Sequence, residues 1–372
     1  MLGYSTIFGI DSHARSTTVF AIVKETGETD CRTFKGADPY GEILAWMERF
    51  PGPRKGWYEA GCTGYVPARR LTSGDTLVVP IATHALSESA EARARKNDRA
   101  DAERLARAGD AGQLKEVWVP EPWVEGLRDV CHLLDDLAGL RGAARQRVLS
   151  ILLRHGHVWE ERTKKGALVK MWGQRHWEWL EKIDLGDPAS QAALEAYLAE
   201  ARRAERAYDD ALESAARLLG ETPLSPVVDA LVRVKGVGLV TAMAFAAEVG
   251  DFGRFTSGRK ITAYFGFAPR ERSSSEKRRM GCITKNGCSL VRRLLTECAW
   301  RYAGASPSRE KGGQAVAAEL EEEALRLSRR LAQRRKSLLR RGLHKCKANT
   351  ATAAELARAL WALGLAAQRA AA

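Results

Sequence analysis

The sequence predicts an α/β N-terminal domain, then a long helical arm of coiled-coil composition, then a mostly α C-terminal domain with a helix-hairpin-helix-like element. Three observations carry this prediction. Short β-rich runs alternate with helical patterns over residues 1–122, helical periodicity is nearly continuous over 123–222, and a Gly-x-Gly turn joins two apolar helical runs near residue 236. At 372 residues the chain also exceeds what one hydrophobic core commonly supports, about 250–300 residues. The remaining stretches divide as 223–303, the C-terminal domain, and 304–372, a basic helical extension.

The first two β-rich runs are TIFGID (6–11) and TTVFAIV (17–23), joined by a polar turn, and DCRTFK (30–35) pairs with them as a third strand. A helical pattern follows in PYGEILAWMERF, then a short strand in KGWYE that ends at Glu59, then a strand in TLVVPI at 76–81. Three antiparallel strands, a helix, a strand and further αβ alternation is the element order of an RNase H-like core. A highly charged helix is expected from Ser87 to Ala108, and Trp118, Pro120, Pro122 and Trp123 mark a break after it. Residues 124–220 read as helical, interrupted by Gly-Asp-Pro at 186–188, and the 189–218 stretch has long-helix or coiled-coil composition, as in an arm that holds domains apart or pairs with a second subunit.

Beyond the break ETPLSP, two apolar helical runs flank Lys235-Gly236-Val237-Gly238. Such a turn exposes backbone N–H groups and a helix N-terminus that hold a DNA phosphate without reading sequence. It equally serves as a tight interhelical connection, where glycine supplies the backbone angles. Residues 270–301 hold nine Lys or Arg against three Glu, and 326–347 hold ten and no acid. Leucines at helical spacing make the second stretch an amphipathic basic helix, and an uncompensated run of that length calls for a polyanion.

Composition agrees. Lys and Arg number 59 against 46 Asp and Glu, a formal charge of +13, which excludes an acidic or disordered chain and points to nucleic acid. No run approaches the roughly 18–20 apolar residues of a membrane span, and the first residues lack the pattern of a signal peptide, so a cytoplasmic protein is expected. Seven cysteines without a CxxC pair fit free thiols in a reducing compartment. The spacing of Cys282, Cys288 and Cys298 matches no ordinary zinc-ligand pattern, and they read as small hydrophobes.

Two constellations carry chemistry. Asp11 closes the first strand and Glu59 the fourth, while Asp98 and Asp101 lie three apart on one face of a helix. Four carboxylates so placed suit two Mg²⁺ ions about 4 Å apart, with Mn²⁺ as a substitute, the arrangement that activates a nucleophile and stabilises a leaving oxygen. Each acid taken singly also suits a turn cap or a surface ion pair. His13 is a neighbour of this group rather than its base, and Trp57 and Tyr58 are core or stacking residues. The second constellation is the polar loop with Ser273, Ser274 and Ser275, bracketed by Arg270, Arg272, Lys277, Arg278 and Arg279, with Lys285 nearby. Clustered guanidinium groups there clamp a phosphate, and a serine is a nucleophile only if a base or metal activates it.

GID at 9–11, YEAG at 58–61, KNDRAD at 96–101 and the later block KGVGLVTAMAFAAEVGDFGRFTSGRKITAYFGFAPRERSSS…ITKNG resemble the DEDD transposases of the insertion sequence 110 family, over about residues 5–303. The resemblance implies a RuvC-like N-terminal domain, a helical arm, a C-terminal domain bearing a catalytic serine, and a structured bridge RNA that pairs with donor and target DNA. It also implies a homo-oligomer, dimer or tetramer. The tetrad then falls on Asp11, Glu59, Asp98 and Asp101. The family serine, five residues after the proline of an APR motif, falls on Ser274; most members place glycine next, whereas Ser275 stands here, so Ser273 and Ser275 stay open as nucleophiles. Arg334, Arg335, Lys336, Arg340 and Arg341 of the extension are assigned to nucleic-acid backbone contact on charge, together with Lys235, Gly236 and Gly238 of the turn. Two other readings fit the residues: a metal-only junction-resolving nuclease in which the serines merely bind phosphate, and a non-catalytic nucleic-acid-binding regulator.

Overall fold

The computed structural model describes residues 3–36, 38–82, 97–271, 280–303 and 316–371. The chain forms two compact units, Met1–Glu121 and Pro122–Ala372.

The first unit is built on a five-stranded sheet. Strands β1 (Thr6–Ser12), β2 (Ser16–Val23) and β3 (Thr29–Lys35) form an antiparallel meander; helix α1 (Tyr40–Met47) leads to β4 (Arg54–Glu59), and α2 (Val66–Leu71) leads to β5 (Thr76–Ile81). The sheet order is β3-β2-β1-β4-β5, with β4 parallel to β1 and β5 parallel to β4. Helix α3 (Asp98–Asp110) completes the unit. The expected helix from Ser87 is described only from Asp98 onward, and residues 83–96 lie outside the described residues. Helix α2 has no counterpart in the sequence reading: six residues make less than two turns, too short for a 3.6-residue period to register.

Alternation along the strands sorts the side chains onto two faces. Phe8, Ile10, Tyr58 and Val78 pack with Tyr40, Ile43, Trp46 and Met47 of α1 and with Leu71 of α2. Ile7, Trp57 and Ile81 pack with Leu105 of α3 on the opposite face, where Phe20 meets Ala102 and Ala106. Gly9 shares that second face, and a Cβ built on it would lie 1.8 Å from the Ala102 carbonyl oxygen and 2.6 Å from the Ala106 nitrogen. Glycine here lets helix backbone touch strand backbone. A second close fit sits one turn further on, where a Cβ on Gly109 would lie 2.3 Å from the Trp57 ring.

The described residues of the second unit are mostly helical, with a short strand pair and an isolated bridge between Arg162 and Leu168. The arm consists of α4 (Pro122–Arg154), α5 (Gln174–Leu180) and α6 (Pro188–Gly220). Leu127, Cys131 and Leu134 of α4 share a core with Ala215 and Leu219 of α6, and Val148 and Ile151 share another with Leu194 and Ala201, so the two long helices run antiparallel. Arg145 pairs with Glu205 midway. The coiled-coil composition is thus used within the chain, with Ala201, Ala204 and Ala215 buried along the seam. Then come α7 (Ser225–Leu231), α8 (Leu239–Val249), α9 (Gly258–Tyr264), strands β6 (Pro269–Glu271) and β7 (Met280–Ile283), α10 (Ser289–Trp300), α11 (Ala318–Arg340) and α12 (Lys345–Ala371). The expected single basic helix over 326–347 breaks at Gly342, which takes φ +80 between α11 and α12. Helix α12 is a central element rather than an appendage: Ala353, Leu356, Ala357, Leu360 and Leu363 are buried in the main core. A Cβ on Gly364 would lie 2.2 Å from the Phe252 ring.

Gly9→Ala is expected to lower the unfolding free energy by about 1–3 kcal/mol or more, the cost of overpacking against helix backbone that cannot rotate away. Gly41→Ala, on α1 with open space around it, serves as control and should leave the urea midpoint unchanged or slightly raised.

Candidate active site and nucleic-acid interface

The parity that puts Gly9 on the α3 face also puts Asp11 there, two residues on, and the parity of Trp57 does the same for Glu59. Ile10 pairs with Tyr58 in the parallel register, so Asp11 and Glu59 follow at adjacent strand ends. Parallel neighbours lie about 4.8 Å apart, which sets these two backbones side by side. Because α3 is pinned over Gly9, its first turn stands at the same end of the sheet. Asn97 caps that turn, its side chain accepting from the Ala100 N–H at 2.8 Å, and Asp98 and Asp101 occupy the acidic first turn, where the helix dipole favours negative charge.

One ligand atom each of Asp11, His13 and Asp98 lie within 4.8 Å of one another. His13 Nε2 is 3.2 Å from Asp11 Oδ2. Asp101 stands close enough to act electrostatically on Asp11 and pairs with Arg104 at 3.2 Å. Glu59 is exposed at its strand end and has interactions of its own. The structure therefore converges Asp11 and Asp98, brings Asp101 within electrostatic reach, and places Glu59 next to Asp11 in the sheet. It adds His13 to the cluster, which strand position alone marked only as a neighbour. Burial raises the Asp11 carboxyl above its ordinary 3.8, and the charges of Asp98 and Asp101 push the same way, while His13 opposes them. A dication relieves that like-charge strain. Carboxylate oxygens suit Mg²⁺, and the imidazole beside them is compatible with Mn²⁺.

The expected nucleic-acid residues divide sharply. Arg334, Lys336, Arg340 and Arg341 are exposed on and just after α11. Arg335 departs from expectation: it is 2% exposed, donates to Asn349 Oδ1 at 2.8 Å and lies over the Trp300 ring at 5.0 Å. Its burial depresses the guanidinium pKa, and its role is to join α11 to α12 and α10. The periodicity is the reason, since Leu331, Arg335 and Leu338 share one buried face. The Lys235–Gly238 turn is likewise spent partly inward. The Lys235 N–H donates to Ser328 Oγ at 3.0 Å and its carbonyl accepts from the Tyr302 hydroxyl at 2.7 Å, while buried Gly236 takes φ +79 with Arg301 against it. Gly238 faces out as the N-cap of α8, without a side-chain cap.

Arg270 and Lys285 are exposed on the hairpin that carries the serine loop. Ser273, Ser274, Ser275, Arg272, Lys277, Arg278 and Arg279 lie outside the described residues. The base of the hairpin is tightly built: Cβ atoms on Gly266 and Gly287 would meet Asn286 O at 2.3 Å and Tyr264 O at 2.0 Å, and both glycines have positive φ. Arg292 Nη1 binds it further, donating to the carbonyls of Phe265 and Asn286. Cys298 is buried, as expected of a small hydrophobe, whereas Cys282 is exposed and Cys288 is half-buried.

A sequence model of the Transposase IS116/IS110/IS902 family matches residues 228–314. A candidate transposase of Sinorhizobium fredii is 34% identical over 310 residues, covering 82% of this chain and 74% of its own. The chain belongs to this family of insertion-sequence transposases. The transposase for insertion sequence element IS1533 of Leptospira borgpetersenii is 28% identical and covers 76% of this chain and 83% of its own. The transposase for IS1111A of Coxiella burnetii is 25% identical over 211 residues, with 55% and 54% covered. The segment matched by the family model begins within α7 and takes in the Gly236 turn, strands β6 and β7 and α10. Among the described residues no helix of this transposase is long and apolar enough to cross a membrane.

A carboxyl whose pKa is raised by folding holds a proton that the unfolded chain has already released, so stability falls as pH climbs from 3.8 through the raised value. In metal-free protein, Asp11→Asn should therefore raise the thermal midpoint at neutral pH and flatten its decline across that interval. Added Mg²⁺ should raise the midpoint of the unsubstituted transposase and leave that of Asp11→Asn unmoved.

Proposed function

We propose that this transposase cuts donor and target DNA and rejoins the strands through a covalent phosphoserine link, with Ser274 as nucleophile and Asp11, Glu59, Asp98 and Asp101 as a RuvC-like metal-binding tetrad. The observation that carries the reading is the convergence of Asp11, Asp98 and His13 at one end of the sheet, under a helix turn held there by Gly9. The strand order β3-β2-β1-β4-β5, with its antiparallel meander and two parallel additions, supports the RNase H-like and RuvC-like assignment. The tetrad would hold Mg²⁺, or Mn²⁺ in its place, which supplies charge to a phosphodiester gaining negative charge at its attacking and leaving oxygens.

The protein's own groups have distinct tasks. Asp11 and Asp98 supply the nearest oxygen pair, and His13 orients the Asp11 carboxylate through its Nε2 contact. The Ser274 hydroxyl attacks the scissile phosphorus, the deoxyribose oxygen departs, and a hydroxyl from the second strand later displaces the serine. Arg270 and Lys285 at the hairpin base, with Arg272, Lys277, Arg278 and Arg279 of the loop, clamp the phosphate. Exposed Arg334, Lys336, Arg340 and Arg341 bind nucleic-acid backbone. Guidance by a bridge RNA and action as a homo-oligomer belong to the same reading and rest on the likeness of the motifs.

With supercoiled donor DNA and Mg²⁺, denaturing electrophoresis should reveal a protein–DNA adduct that Ser274→Ala abolishes. Asp11→Asn and Glu59→Gln should lower strand cleavage by a factor of about 100 or more, the scale set by losing charge stabilisation at the reacting phosphate. Cleavage by Ser274→Ala at the full rate, with no adduct in either protein, would overturn the serine mechanism and leave a metal-only nuclease.

Charge on α11 is tested separately. Arg334→Ala and Lys336→Ala should each reduce the slope of log affinity against log salt by about one, whereas Arg335→Ala should lower the thermal midpoint without its own change in slope.

A further inference from the structure

Far from the acidic cluster along the chain, three side chains of different chemistry meet in the helical unit. His132 on α4, Glu248 at the end of α8 and Cys288 at the N-cap of α10 each offer one ligand atom, and these atoms lie within 4.8 Å of one another. Their sequence positions are more than a hundred residues apart in one interval and forty in the other, so only the tertiary fold assembles them.

The surroundings are arranged around the sulfur and the carboxylate. The Cys288 thiol hydrogen-bonds the Glu248 carboxylate, and the backbone N–H groups of Leu290 and Val291 at the start of α10 reach the same sulfur. Arg128 braces this junction, with Nε donating to the Ala247 carbonyl at 2.9 Å and Nη2 to the Glu248 carbonyl at 3.0 Å. Its contact with the carboxylate is the longer one, 3.8 Å. The Glu248 main chain is braced further by donors from Arg254 and Tyr264 to its carbonyl, which holds the carboxylate in place. Arg293 of α10 pairs with Asp135 of α4 beside the same junction, so the two helices are locked at this point.

We propose that His132, Glu248 and Cys288 form a site for a zinc-class divalent cation, distinct from the acidic cluster of the sheet. An imidazole, a carboxylate and a thiolate are the donor types of tetrahedral zinc, and ligand atoms in such a shell stand about 3.4–3.7 Å apart, given metal–ligand bonds of about 2.0–2.3 Å. The observed ligand atoms, all within 4.8 Å of one another, stand within about 1.5 Å of that spacing. Glu248 and Cys288 are half-buried and His132 is exposed, so the ion would enter from the His132 side and keep a water as its fourth ligand. Thiolate selects zinc-class ions over Mg²⁺, which separates this site chemically from the carboxylate cluster. The bound ion cross-links the arm helix α4 to α8 and α10, on either side of the serine hairpin in sequence.

The test uses the full chain, stripped with a chelator and titrated with Co²⁺ alone, then with Zn²⁺ as competitor. A thiolate-to-cobalt charge-transfer band that saturates at one ion per chain, is displaced by Zn²⁺ and vanishes in Cys288→Ser is the expected result. His132→Gln, at an exposed position where folding is not at stake, should weaken Co²⁺ binding at least tenfold, about the effect of perturbing even an outer partner of a metal ligand. Asp11→Asn should leave the band intact, so loss of the acidic cluster and loss of this site are told apart. Absence of the band in the unsubstituted chain, its persistence in Cys288→Ser, or unchanged affinity in His132→Gln would each overturn the proposal. Should Cys288→Ser fail to fold, Glu248→Gln and His132→Gln carry the decision.

Discussion

The contact between Gly9 and α3 is the constraint on which the acidic cluster depends. Were larger side chains interposed at this contact, the helix would stand further from the sheet and carry Asp98 and Asp101 away from Asp11. Here Ala102 and Ala106 of the helix meet a residue with no side chain, and Gly109 settles onto the Trp57 ring in the same way. Two glycines on partner elements thus remove the spacer that side chains would impose. The carboxylates of Asp11 and Asp98 meet because backbones meet first. The same closeness buries Asp11, which raises its carboxyl above the ordinary value, and the nearby charges of Asp98 and Asp101 push the same way. The cluster is held together by apolar packing and close backbone approach, against the mutual repulsion of its carboxylates.

The helical unit applies a similar device with a different outcome. Alanines and Gly364 along α12 let it lie close to its neighbours, with Phe252 filling the space that a larger residue at 364 would need. Around it the basic residues are sorted. Arg335 points inward to Asn349 and Trp300, Arg326 pairs with Glu323, and Arg330 and Arg358 share Glu355. On α11 the charge turned to solvent is narrower than the composition implies, and of the residues expected to meet a polyanion it leaves Arg334, Lys336, Arg340 and Arg341 exposed.

Much of the first unit was legible. The strands could be read from β-rich runs and turn residues, and Asp11 and Glu59 stood out at the ends of the first and fourth; the face they share with Gly9 and Trp57 came from the structure. The i, i+3 spacing of Asp98 and Asp101 on one helix face was legible too, because local geometry depends on neighbours in sequence, whereas Asn97 as the cap of that turn came from the structure. Helix α2 was not, since six residues carry no readable period. The arm was legible as helix but not as an antiparallel hairpin, because a long amphipathic helix does not state whether its partner is in the same chain.

What the sequence by itself determined is the set of local facts: a mixed α/β start, long helices, a basic surplus, two acids at strand ends and two more three apart on one helix face. What only the tertiary structure decided is which residues from distant segments share a space. His13 joining Asp11 and Asp98, Arg335 turned into the core, and His132, Glu248 and Cys288 gathered at one helix junction are all of that kind. Their cause is close packing, which fixes side chains by the shape of neighbours contributed from far along the chain, and no spacing rule along the sequence encodes that shape.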